Sequence, residues 1–142
     1  MTNTKPIGVA YEDQSIIGAD IVQAENIATT GTIGYAAGAY DTVTQTNNKT
    51  TAVTINTPSG QIITANAQMA PSANAVFVVN CSAISTKDVV VISVASGGTL
   101  GAYNVFIAAI ANGSFTVEIK NVTNNAYSEA IRLNYAILHT ES

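Results

Sequence analysis

Beyond residue 28, apolar and polar residues alternate in short runs broken by Asn, Gly, Pro and Ser. That is the period of half-buried strands, and no stretch there keeps a capped helical spacing. The pattern predicts strands over 32–35, 41–45, 51–55, 61–64, 75–80, 88–94, 103–111, 114–121 and 130–138. Between them lie turn-forming sequences such as Asn47-Asn48-Lys49, Thr57-Pro58-Ser59-Gly60, Ala70-Pro71-Ser72 and Asn124-Asn125. Asn112-Gly113 joins two long β runs. Both residue types tolerate positive φ, so 103–111 and 114–121 are expected to pair as a hairpin. In the second of these runs Phe115, Val117, Ile119 and Asn121 share one face, while Ser114, Thr116, Glu118 and Lys120 share the other. The run from Asp88 to Ile92 is apolar on both faces and reads as a central strand. Many short strands at this spacing, with no fixed-period repeat, predict an all-β fold: an antiparallel β-sandwich, jelly-roll-like.

Residues 1–28 break this pattern. They hold four of the nine acidic residues, Glu12, Asp13, Asp20 and Glu25, with isolated apolar pairs Ile16-Ile17 and Ile21-Val22. Ile17, Ile21, Ala24 and Ala28 fit one helical face, but the run is short and Gly18 weakens it. The expected organisation is an extended N-terminal arm, 1–28, and a β-sandwich domain, 29–142. An arm that cannot bury its isoleucines against itself must lay them on another surface.

Charge narrows the function. Only 10% of the 142 residues are charged, against about 25% in an average soluble domain. Lys5, Lys49, Lys87, Lys120 and Arg132 are scattered and the net charge is −4. Nucleic-acid binding draws on clustered cations that displace counterions from phosphates, and an anionic membrane surface attracts the same clusters; neither partner is expected. A neutral surface of Thr, Asn, Ser and Ala suits a protein covered by copies or partners more than a free monomer, which relies on charge for solubility. The opening MTNTKPIGVAYEDQ has no apolar core ahead of Glu12 and Asp13, so no secretory leader is expected.

Catalytic chemistry is hard to assemble from these residues. His139 is the sole histidine and lies near the C-terminus, where an exposed tail residue is the plain reading. Cys81 is the sole cysteine; it follows an apolar run and reads as a buried structural thiol. One Cys and one His do not make a zinc site, and no Asp-rich loop offers calcium a cage. Glu12 and Asp13 are adjacent and diverge in an extended chain. Asp41, Asp88 and Glu118 remain as carboxylates that only the fold can bring together. Gly97-Gly98-Thr99-Leu100-Gly101 lacks the Lys-Ser/Thr of a phosphate loop and reads as a flexible hairpin tip. Tyr35 and Tyr40 flank Ala36-Ala37-Gly38-Ala39 as a small platform for a sugar or as interface anchors, the second being favoured. No enzyme activity and no cofactor or metal are expected.

Several stretches carry a resemblance. Lys5-Pro6-Ile7-Gly8-Val9-Ala10-Tyr11-Glu12-Asp13-Gln14 is similar to the start of small structural proteins of tailed bacteriophages, including cyanophages. Gly31-Thr32-Ile33-Gly34-Tyr35-Ala36-Ala37-Gly38, Gly60-Gln61-Ile62-Ile63-Thr64, Asn80-Cys81-Ser82-Ala83-Ile84 and Leu133-Asn134-Tyr135-Ala136 resemble a β-domain of phage virion proteins. The resemblance implies a capsid decoration (cement) protein on the outer shell of the virion, with the major capsid protein as partner and a homotrimer as its assembly. Ile7, Tyr11, Ile16, Ile17, Ile21 and Val22 would then attach the arm to the shell or to a neighbouring subunit. The alternative is a tail-fibre or appendage subunit that binds host-surface glycan.

Overall fold

The computed structural model describes residues 30–140. They form ten strands and no helix: β1 (Tyr40–Thr44), β2 (Val53–Thr54), β3 (Ser59–Ile63), β4 (Gln68–Met69), β5 (Asn74–Asn80), β6 (Val89–Gly97), β7 (Tyr103–Ala111), β8 (Ser114–Asn121), β9 (Tyr127–Ser128) and β10 (Ile131–Leu138). One four-stranded sheet runs β1-β3-β10-β6, a second runs β2-β5-β8-β7, and β4 and β9 make a separate short pair.

Strand alternation explains why the two sheets stack. Along β10, Ile131, Leu133, Tyr135 and Ile137 point inward; along β8, Phe115, Val117, Ile119 and Asn121 do; along β5, Ala75, Phe77 and Val79 do. These side chains, with Val53, Ile55, Ile62, Met69, Cys81, Ile84 and Val90, make one shared core between the sheets, which is a β-sandwich. Rings from both sheets meet inside it. Phe115 lies against Tyr135 with centroids 5.4 Å apart and planes tilted by 52°. The Tyr135 hydroxyl donates to the Thr57 carbonyl at 2.8 Å. Burial pushes that phenol up to about 12.

The expected hairpin forms, with Tyr103 opposite Asn121 and Ala111 opposite Ser114. Its turn differs from the expectation in one respect. Gly113 alone adopts positive φ, at 78°. Asn112 instead uses its side chain, whose Oδ1 accepts the Thr86 N–H at 3.1 Å and ties the turn to the chain ahead of β6. A register shift between Ile107 and Ala109 leaves Ala108 as an extra residue in β7. The half-buried positions therefore pass from Tyr103, Val105 and Ile107 to Ile110, out of strict alternation.

Other expectations are corrected. Residues 32–35 are not a strand. Among the described residues no strand pairs with this stretch, and a strand exists only as a ladder with a partner. The sheets are mixed and not wholly antiparallel: β1 runs parallel to β3, and β2 runs parallel to β5. The run at 88–92 is no central strand. It lies in β6, at the edge of the first sheet, with Val89 and Val91 exposed. The glycine-rich segment is no hairpin tip, because β6 and β7 belong to different sheets and the segment arches between them. At the start of that arch Gly97 has φ +73°, and a β-carbon there would lie 2.5 Å from the Ala130 carbonyl oxygen, so only glycine fits.

Candidate functional site

The pairing of Val89 with Leu138 sets the residue before β6 beside the residue after β10. Asp88 and His139 are those two residues, and Asp88 Oδ2 lies 3.1 Å from His139 Nδ1. The carboxylate is 3% exposed and the imidazole 50%. The Ser85 N–H donates to the same carboxylate oxygen at 2.7 Å, and the Asp88 N–H donates back to the Ser85 carbonyl at 3.2 Å. The Thr140 hydroxyl donates to the Lys87 carbonyl. Ser82, Ala83, Ile84, Ser85 and Thr140 line a cavity of about 450 Å³ around the acid–base pair.

The electrostatics follow from these bonds. The Ser85 amide is the main influence holding the Asp88 carboxyl below the usual carboxylate range. It outweighs burial, which acts in the opposite sense, and the His139 ring and Ser85 hydroxyl add to it. The Asp88 charge is thus favoured by folding. Its stabilisation is present above the unfolded value near pH 4 and disappears as pH falls through the lower folded value. Asp88→Asn is expected to lower the thermal midpoint at pH 7, with the gap to wild type narrowing as pH falls below about 4. A gap unchanged over that fall would show that the carboxylate charge is irrelevant.

An Asp on His Nδ1 is two-thirds of a hydrolytic triad, which also requires a hydroxyl on the other ring nitrogen. Ser85 bonds to the acid and not to the base. What the arrangement does is hold the C-terminal residues to the 85–88 turn. His139, expected as an exposed tail residue, is half exposed but fixed by Asp88. Among the described residues, no three of His, Cys, Asp and Glu converge as a metal centre.

Two other polar clusters are built into the fold. Lys49 is buried, and its ammonium donates to the carbonyls of Ala65 and Glu129, each at 2.6 Å. Burial pushes this lysine below the ordinary lysine range, and the Glu129 charge partly opposes the shift. Buried Gln45 completes the cluster: its amide donates to the Thr51 carbonyl at 2.8 Å and accepts the Ala65 N–H at 3.2 Å. The Glu129 carboxylate reaches the other way and accepts the Thr99 N–H at 2.5 Å, which clamps the glycine-rich arch. Below the arch the Tyr103 hydroxyl is buried beside the Glu129 carboxylate. Burial, and after it the Glu129 carboxylate, hold its proton well above the usual tyrosine range.

The attachment residues expected from the sequence, Ile7, Tyr11, Ile16, Ile17, Ile21 and Val22, lie outside the described residues. Tyr35 and Tyr40 are both exposed. The Tyr35 hydroxyl donates to the Ile137 carbonyl, which fixes that ring beside β10, and Tyr40 opens β1 opposite Ser59. Cys81 is buried, its Sγ 3.6 Å from the Thr57 carbonyl, and burial raises its thiol. The Asp88–His139 clasp was missed. Its signal was an acid just before one long apolar strand and a histidine just after another, which becomes informative once the two strands are known to pair. No family model, curated protein or solved structure matches the chain.

Proposed function

We propose that this chain is a bacteriophage virion structural protein, a capsid decoration protein that binds the outer shell as an oligomer and stiffens it. The observation that carries the reading is an uncovered apolar face on a protein poor in charge. Val89 and Leu138 are paired, Val91 lies two residues along β6, and these side chains are 49%, 55% and 54% exposed on the outer face of the first sheet. A sandwich that leaves valines and a leucine together in water is suited to being covered. Tyr35 and Tyr40 supply rings of the kind that anchor interfaces. The role is mechanical: many copies bridge capsomers, and apolar area buried at about 25 cal/mol per Å² resists expansion of the shell.

The resemblance to phage virion β-domains supports the same reading, with residues 1–28 as the attaching segment. Purified full-length protein mixed with capsids that lack it is expected to co-sediment with them. A variant without residues 1–28 is expected to keep the β-sheet circular dichroism of the sandwich and to lose capsid binding. Full decoration by the truncated protein would end the attachment idea, and no binding by the intact chain would end the decoration reading.

A further inference from the structure

Among the described residues, no strand covers the side of the sandwich formed by β6 and β7. β6 is the last strand of the first sheet, β7 is the last strand of the second, and the two lie next to each other. Each presents one edge whose backbone N–H and C=O groups pair with no other described strand, the feature that natural proteins blunt with charge, proline or bulges. Here no charged residue and no proline occurs from Val89 to Val117. Each strand has a bulge, at Ala95 in β6 and at Ala108 in β7, but the stretch from Val89 to Val94 runs in unbroken register. Between the two edges the core is only partly covered, since Ile92, Val105 and Ile107 are half-buried. Leu100, at the top of the arch between the strands, is fully exposed, and the Thr99–Glu129 hydrogen bond holds it in place.

We propose that the β6–β7 side is the surface through which copies of this chain associate, and that its occupant is a second copy. Charge favours this occupant. A chain of net charge −4 repels itself over most approaches, but the two edge strands carry no charge, and the nearest carboxylate, Glu129, is engaged by the Thr99 amide. Shape favours it as well. Beside the projecting Leu100 lies a hollow of about 280 Å³ lined by Val94, Ser96, Gly97, Gly98 and Tyr103, so one surface offers both a knob and a place to receive one. That is the self-complementarity of a two-fold interface, in which each copy gives what it takes. An axis along the strands would bring the two arches together, set Leu100 of each copy at the hollow of the other, and place β6 antiparallel beside β7 of the second copy. A nine-residue strand is about 30 Å long. Across the depth of two sheets this side offers about 600 Å² per copy, near the usual 800 Å² of a stable interface.

The inference deepens the assembly role proposed above, and its test needs no capsid. Light scattering and sedimentation of the full chain at micromolar concentration are expected to give a mass at least twice that of the monomer. Val91→Lys places a charge on the uncharged edge strand. Leu100→Asp removes the knob at a position with no packing to lose. Each is expected to weaken association about a hundredfold while leaving circular dichroism unchanged. A monomeric wild-type chain would overturn the proposal, also if its β6 amides proved protected from exchange, since another segment of the same chain would then cover the edge. Variants that associate as tightly as wild type would overturn it too. Association without capsid binding would leave this surface standing and remove only the decoration reading.

Discussion

Phe115→Ala is expected to lower the unfolding free energy by about 4 kcal/mol. Phe115 is 1% exposed, stands opposite Val79 and Ile110 in its own sheet, and touches Tyr135 of the other. Truncation removes apolar transfer energy and also leaves a hole between two sheets whose other contacts hold them apart. The neighbours Val117, Ile119 and Leu133 are fully buried and set in paired strands, so the hole cannot close by a small shift. Urea titration followed by circular dichroism reads the loss directly. A cost below about 1 kcal/mol would mean that the sheets slide together and that the core is less specific than its packing implies.

The second large effect is expected at Asn121, the only polar residue on the inward face of β8. It is fully buried, yet every polar atom of its side chain is engaged. Its amide donates to the Ala70 carbonyl at 3.0 Å and the Asn125 carbonyl at 2.7 Å. Its carbonyl accepts the Thr123 N–H at 3.0 Å and the Thr123 hydroxyl at 2.9 Å. One side chain thus satisfies the backbone of two loops that close the end of the sandwich. Asn121→Leu keeps the volume and the apolar alternation but strands those partners, and is expected to cost about 3 kcal/mol. Faster amide exchange at Thr123 and Asn125 should accompany the loss. If the leucine variant is as stable as wild type, water already serves these groups and the plug is dispensable.

Asn121 also shows what local pattern conveys. Its place on the buried face is readable from the alternation of Phe115, Val117 and Ile119; its bond to Ala70 is not, because that carbonyl lies 51 residues back in the chain. The 103–111 and 114–121 hairpin was legible down to its ends because a turn two residues long fixes register locally. The run at 88–92 misled for a definite reason. Apolar residues on both faces mark a strand that avoids water on both sides, and they do not say whether the protein's own chain provides the cover. In β6 it provides cover on one face only, with Val90 buried and Val89 and Val91 exposed. The departure from the usual rule is thus the feature that points to a partner.

Contacts between distant strands explain the remaining gaps. The parallel pairs β1–β3 and β2–β5 depend on how long connections return, and no alternation pattern encodes that. Asp88 and His139 meet because β6 and β10 pair in one register; a shift of a single residue would separate them. Lys49 sits in a turn-like Asn47-Asn48-Lys49 stretch that promises exposure. It is buried because Ala65 and Glu129 each turn a carbonyl toward it, and a buried cation with two such acceptors is tolerated where a lone one is not.

The proposed role makes this sandwich a repeated subunit of a virus shell, so its copy number on purified particles decides whether that role holds. Quantitative mass spectrometry against the major capsid protein, with labelled electron micrographs to place the signal, is the measurement. A decoration protein is expected in a number set by the capsid lattice, distributed over the head. A handful of copies confined to the tail, or none on the particle, would contradict that role.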